Sequence, residues 1–488
     1  MYYISDVKNY LNCPKLFQYS YFNDKNTELF HSRSIENISE LGITKLGIAD
    51  YYIGQRGDDK SVSLNKLRKF EWVIKGRFEY KNLRVKIPFI NKVNDNVIDV
   101  VFFSTSLFPT QSDLNYYQGC IWVLKNNGLH INDVSILHPN PKYIRDKYKN
   151  ACDILNITKY FYNSNKSKGS LIIKVLKNNY INFNKILNNM SEIDVHSDVS
   201  PRTNKSKHHC ILCPLKSSCF DFKENDDDSI LTLHSYKNKY NLFLEGITSL
   251  KQLDINSSIF NQTQIAQIVA AKNNGEYYHP ILLKKWLKKL DSRPLVFFDF
   301  EWDTFYLPPY NMMKAYDVVT FQYSLHILDV NDCLIHKEFI GKNDCRREFI
   351  ESFLDSIDIN SKFICFNALG AEILRLKEFK KYFPEYSEKI LKIISQTYDL
   401  SDIFNLGYYY NIKMAGKYNL KTISQLFTDT TYNKQEEIHD GLQAVMLWRN
   451  QEDITSGNDT QIKKLLEYCS QDSLNLYKIY CYLSNLIN

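Results

Sequence analysis

The chain has no run of 18 or more apolar residues, which excludes a membrane-spanning helix of the usual kind. No secretory signal is expected either: Met1-Tyr-Tyr-Ile-Ser-Asp lacks a basic start and an apolar core. No internal repeat and no low-complexity tract interrupts it. Glycine is scarce, 16 residues against 35 tyrosines. With the many Asn, Lys and Ile residues, that scarcity reads as the codon bias of an AT-rich genome and carries no function. The expectation is a cytoplasmic protein, whose 11 cysteines are then not a disulfide framework.

What is present is a soluble globular composition, 44% hydrophobic and 24% charged. The 488 residues suggest about two to four domains. The net charge of +6 is uneven. Residues 1–225 carry 32 Lys and Arg against 21 Asp and Glu; residues 226–488 carry 29 against 34. A basic first part points to a polyanionic partner, although a basic solvated surface explains the charge equally well. The expected division is 1–225, then a helical connector over 226–293, then 294–488. Charged Phe220-Asp-Phe-Lys-Glu-Asn-Asp-Asp-Asp-Ser marks the first boundary. From residue 294 the pattern is α/β. Strands are predicted at Leu295-Val-Phe-Phe-Asp-Phe, at Phe321 to Leu328 and at Phe363 to Phe366. Helices are predicted over 371–381 and 462–486.

Cys210-Ile-Leu-Cys213-Pro-Leu-Lys-Ser-Ser-Cys219 has C-x2-C-x5-C spacing, which suits thiolate chelation of a metal centre. Four thiolates are usual for an iron–sulfur cluster. Cys13, in Leu11-Asn-Cys-Pro, is the best fourth ligand. One Cys near the start and this triplet near the end resemble the iron–sulfur-stapled RecB-like nucleases, including the AddB type and small CRISPR-associated exonucleases. That resemblance implies a [4Fe–4S] cluster on Cys13, Cys210, Cys213 and Cys219 in a PD-(D/E)XK-type fold. Zn2+ is the alternative, since His208 and His209 abut Cys210. The other seven cysteines are expected only to pack.

RecB-like nucleases need an Asp after one strand and Glu-x-Lys on the next. Here the first place reads Lys86-Ile-Pro88, and Val100 and Phe102 stand where Glu and Lys are expected. Asp99 is the only acid nearby, and Gln118 fits the following helix. The expectation is a fold that is kept and a cut that is lost, with the basic surface binding nucleic-acid backbone.

Phe297-Phe-Asp299-Phe-Glu301 puts two carboxylates at i and i+2 of a strand, on one face. Tyr468-Cys-Ser-Gln-Asp472 puts Tyr and Asp at i and i+4, on one face of a helix. Between them lies Phe366-Asn-Ala-Leu-Gly-Ala-Glu372. This order resembles the DEDD 3′–5′ exonucleases, the DnaQ-like branch of the RNase H fold, in their tyrosine form. His439 does not fit the histidine form, because the fifth residue after it is Ala444. Thr397-Tyr-Asp-Leu and Lys417-Tyr-Asn-Leu-Lys-Thr-Ile also fall where DnaQ-like proteins have corresponding elements. Nearly the whole chain, strongly from residue 294 and weakly before residue 210, resembles a little-characterised bacterial family that joins an Fe–S RecB-like domain to a DEDD-type domain.

The resemblance implies that Asp299, Glu301, Glu372 and Asp472 hold two Mg2+ or Mn2+ ions, with Tyr468 orienting the attacking water. It implies a nucleic-acid partner, with single-stranded DNA favoured. The gap from Asn367 to Glu372 is one residue longer than the family pattern, which weakens Glu372 most. Two other readings stay open: a non-catalytic nucleic-acid scaffold, and a RecB-like domain that still cuts with Asp99. In the middle segment, Lys284, Lys285, Lys288 and Lys289 lie opposite a Leu/Trp face. An amphipathic helix packing on a neighbour explains them better than a phosphate-tracking one.

Overall fold

The computed structural model describes residues 1–23, 34–146, 151–178, 181–200, 213, 215–219, 227–256, 259–427, 441–449 and 459–487. The protein is mixed α/β and divides into two compact units. The first comprises 1–204, 208–215 and 305–317; the second comprises 205–207, 216–304 and 318–488. No described helix is long and apolar enough to cross a membrane.

The first unit is built on seven strands: β1 (Tyr2–Tyr3), β2 (Tyr51–Ile53), β3 (Trp72–Tyr80), β4 (Leu83–Asn94), β5 (Val97–Phe103), β6 (His130–Pro139) and β7 (Leu155–Thr158). Their order is β2-β3-β4-β5-β6-β7, with β1 beside β4. A separate hairpin joins β8 (Tyr160–Tyr162) to β9 (Lys168–Leu171). Lys81 and Asn82, both at positive φ, close the β3–β4 hairpin in two residues. A two-residue turn of that kind matches the twist of its strands. Helix Leu114–Asn126 covers one face of the sheet. Phe78, Val85, Ile87, Val100 and Phe102 are buried in the core of that face. Ile74, Phe89, Val101 and Leu137 belong to a smaller core on the other.

The second unit contains β10 (Glu276–Tyr278), β11 (Leu295–Thr304), β12 (Val318–Leu328), β13 (Leu334–Ile340), β14 (Lys362–Cys365), β15 (Thr397–Asp399) and β16 (Tyr409–Asn411). Five of them form one sheet, ordered β13-β12-β11-β14-β15. β13, β12 and β11 are antiparallel; β11, β14 and β15 are parallel. Strand β11 is therefore central, and its side chains alternate between two cores. Val296, Phe298 and Phe300 pack against Phe349 and Phe353 of helix Arg346–Ser356. Leu295 and Phe297 face the opposite core, where Phe297 meets Tyr477 and Tyr480 of the terminal helix Asp459–Ile487.

The predicted strands and both predicted helices lie where expected, within a few residues. Strand β13 was not foreseen. The expected connector, 226–293, belongs to the second unit: β10 pairs with β16, and Leu283, Trp286 and Leu287 of helix Pro280–Leu287 are in its core. Lys284, Lys285, Lys288 and Lys289 are exposed around that helix, as amphipathic packing requires.

Candidate metal centre

Asp299 and Glu301 continue the Leu295–Phe297 face of β11, the face that the terminal helix covers. Asp472 comes from that helix. Their carboxylate oxygens all lie within 4.8 Å of one another. No other group of three or more possible metal ligands occurs among the described residues. A register shift follows Glu301, at Glu301/Trp302, so the strand keeps its alternation through both acids before it bends.

The terminal helix is fastened to the sheet by polar contacts next to Asp472. Ser473 Oγ lies 2.8 Å from both Ser324 Oγ and His326 Nδ1, and Ser324 Oγ lies 3.0 Å from His336 Nε2. Burial, with His336 and Lys478 nearby, pushes His326 down to about 4, so its ring is neutral at ordinary pH. Gln322 Nε2 donates to the Leu465 carbonyl at 2.6 Å. One turn before Asp472, the Cys469 thiol donates to Asp299 Oδ2 at 3.5 Å. Cys469 was expected only to pack; it packs and also touches the site. Its i−3 spacing from Asp472 was the available signal.

Glu372 is the first residue of helix Glu372–Tyr382, and it is buried. It lies near enough to raise the pKa of Asp299 and Glu301, but it is outside the group of three. Its Oε2 has no hydrogen-bond partner among the described residues. The loop before it turns at Asn367, at φ 60. Asp399 holds that loop, accepting from the backbone N–H of Asn367 at 2.9 Å and of Ala368 at 2.7 Å. This gives Tyr398-Asp-Leu a physical task that the sequence reading left open.

Tyr468 is half-buried on the same helix face as Asp472. Lys421, from helix Leu420–Phe427, places its Nζ 5.6 Å from the centre of the Tyr468 ring. The same ammonium pulls the Glu301 pKa down. Lys421 was not singled out in the sequence, although it lies in the Tyr418-Asn-Leu-Lys-Thr-Ile element. Gly441 opens helix Gly441–Arg449 beside Glu301; a Cβ there would stand 3.5 Å from Glu301 Oε2.

Burial and mutual repulsion outweigh Lys421 and Cys469 in the electrostatics of the acids. Burial raises Asp299 well above the usual carboxylate range, and Asp472, Glu301 and Glu372 raise it further. Glu301 is raised to about 8 by burial and then by Asp472 and Glu372. Such carboxyls hold protons that the unfolded chain has already released. Their contribution to stability is complete below about pH 4 and is lost as pH rises toward about 8. A cation that replaces the protons removes the loss. In EDTA the Tm is expected to fall between about pH 5 and about pH 8, and Mn2+ to restore it. Glu301→Gln is expected to flatten the slope in EDTA. Identical Tm–pH curves for the two proteins would contradict this origin.

Of the expected thiolate ligands, Cys13, Cys213 and Cys219 are among the described residues. Cys13 and Cys213 belong to the first unit and Cys219 to the second, while Cys210, His208 and His209 lie outside the described residues. His439 lies outside them too.

Residues 296–419 match a family described as a domain of unknown function, DUF2779. The matched span carries Asp299, Glu301 and Glu372 and ends before Lys421, Tyr468 and Asp472. Neither the curated proteins nor the solved structures contain a match to the chain.

Proposed function

We propose that the second unit is a metal-dependent nuclease, a DnaQ-like 3′–5′ exonuclease of RNase H-like fold acting on nucleic acid, with single-stranded DNA favoured. The observation that carries the reading is the convergence of Asp299, Glu301 and Asp472. Mutually repelling carboxylates at a half-covered site fit a doubly charged cation better than they fit an unliganded protein. An all-oxygen donor set suits Mg2+ or Mn2+. The three acids would hold the ions, and Glu372, with its unpartnered oxygen, would complete the set. Bound there, the ions would supply Lewis-acid polarisation of a phosphodiester and an acidified water.

The chain's own residues do the rest. Cys469 fixes the direction of Asp299 Oδ2. Lys421 offsets negative charge at Glu301 and lies over the Tyr468 ring. The Tyr468 hydroxyl orients the attacking water without ionising. Tyr468→Phe is expected to lower kcat by about 10–100-fold while leaving the Mn2+ affinity within about twofold. A parallel loss of metal affinity would make Tyr468 a structural residue instead.

For the first unit the proposal is a RecB-like, PD-(D/E)XK-type domain that binds nucleic acid without cutting it. Val100 and Phe102 are fully buried, and Phe102 packs 4.6 Å from the Tyr117 ring. On the RecB-like reading these two buried apolar residues occupy the catalytic Glu and Lys positions, which supports a domain that does not cut. Asp99 accepts from Asn132 at 2.8 Å, and neighbouring Asp133 pairs with Lys159 at 2.5 Å, so both acids are engaged. The [4Fe–4S] cluster, or Zn2+, on Cys13, Cys210, Cys213 and Cys219 belongs to the same proposal. Anaerobic purification with an absorption spectrum near 400 nm tests it.

A further inference from the structure

Strand β3 contains a backbone irregularity. Lys75 stands at φ 54, in the left-handed region, with Ile74↔Phe89 and Gly76↔Ile87 paired on either side. Pro88, which has no N–H, lies opposite. An uninterrupted strand would send Val73 and Phe78 to opposite faces. Both lie instead in the core under helix Leu114–Asn126. The irregularity reverses the phase and leaves Arg77 and Lys86, direct cross-strand partners, on the other face of the sheet.

Like charges directly opposite on a sheet destabilise it. A left-handed Lys is strained, and such strain is concentrated at functional positions. Among the described residues neither Lys75, Arg77 nor Lys86 makes an ion pair. The nearby acid Asp58 is occupied by the Tyr52 hydroxyl and the Gln55 N–H. Arg77 Nη1 donates to the Lys75 carbonyl at 3.5 Å, and Lys86 is the cross-strand partner of Arg77, so the three residues adjoin. Lys86 is exposed, and Lys75 and Arg77 are half-exposed. An open row of cations suits a chain of phosphates better than a single enclosed anion.

We propose that Lys75, Arg77 and Lys86 form the patch on which the first unit binds the phosphodiester backbone of nucleic acid. The proposal rests on the nucleic-acid reading of the function but not on cleavage. The test is fluorescence anisotropy of the full chain with a labelled single strand of about 20 nucleotides, in EDTA so that nothing is cut. The triple variant Lys75→Ala/Arg77→Ala/Lys86→Ala is expected to bind at least about 10-fold more weakly. Its log K against log salt slope should be shallower by about two, since each phosphate contact on a single strand contributes about 0.7. The control Lys174→Ala/Lys177→Ala/Lys185→Ala removes the same charge from exposed positions and should change binding less than about threefold. Lys75→Gly should weaken binding while leaving the Tm unchanged or higher, because glycine relieves the strain. Inorganic phosphate at millimolar concentration should not compete at constant ionic strength.

Equal effects of the two triple variants would overturn the patch in favour of diffuse charge. Competition by inorganic phosphate would overturn it in favour of a single-anion site. A wild-type chain that binds no nucleic acid would overturn both this inference and the nucleic-acid reading. Normal binding with no degradation in Mn2+ would sink only the nuclease reading.

Discussion

Asp299→Asn is expected to reduce Mn2+-dependent degradation of single-stranded DNA by at least about 10³-fold. Metal-ion charge stabilisation is worth several kcal/mol in such reactions, and each 1.36 kcal/mol is tenfold in rate. Asp299 is the member of the group that the other acids converge upon, with Asp472, Glu301 and Glu372 all raising its pKa. The amide keeps the size of the side chain but loses the negative charge. The variant is also expected to be no less stable in EDTA, because the amide spares the site a buried carboxyl that must either keep its proton or repel its neighbours. Rate loss with retained or improved Tm distinguishes a ligand from a structural acid. A variant that unfolds below wild type in EDTA would assign Asp299 a structural task.

Arg449→Met is expected to destabilise the second unit by about 3 kcal/mol, which is roughly 6–12 °C in Tm for a unit of this size. Asp303 is buried, 3% exposed, and Arg449 grips it with both ends of the guanidinium fork: Nε to Oδ2 at 2.6 Å and Nη2 to Oδ1 at 2.7 Å. Removing the arginine strands a buried charge, which costs more than the pair itself is worth. The double variant Asp303→Asn/Arg449→Met should therefore recover part of the loss. The pair also fixes helix Gly441–Arg449 to β11, two residues beyond Glu301. Trp448 adds a stack on Phe321 at 4.5 Å and donates to the Gly341 carbonyl at 2.8 Å. Because Gly441 abuts Glu301, the single variant should lose activity at temperatures where the fold persists. Differential scanning fluorimetry alongside activity separates the two effects. A Tm within 2 °C of wild type would contradict the buried-pair argument.

The acids of β11 were legible because two local periodicities carried them. A strand of apolar residues implies a buried centre, and i, i+2 spacing implies one face. Tyr468 and Asp472 were legible by the helical counterpart of that rule. Glu372 was not fully legible, because its position depends on a loop turned at Asn367 and held by Asp399, 32 residues from Asn367. Lys421 reaches Tyr468 only through the packing of two helices, which no spacing encodes. Strand β13 escaped notice for a different reason: Leu334–Glu338 are exposed, so the strand lacks the apolar alternation of a half-buried strand. The expected connector joined the second unit through pairing between Glu276–Tyr278 and Tyr409–Asn411, a contact that local pattern does not carry. Residues 305–317, between β11 and β12, cluster with the first unit, which chain order alone did not suggest.

The most direct measurement is a digestion time course on single-stranded DNA labelled at the 5′ end or at the 3′ end, with wild-type protein and Asp299→Asn, in Mn2+ and in EDTA. Wild type in Mn2+ is expected to release 3′-labelled mononucleotide at once and to shorten the 5′-labelled strand progressively. Neither change is expected with Asp299→Asn or in EDTA. Degradation that survives Asp299→Asn, or that proceeds in EDTA, would contradict the assignment of the reaction to Asp299, Glu301 and Asp472.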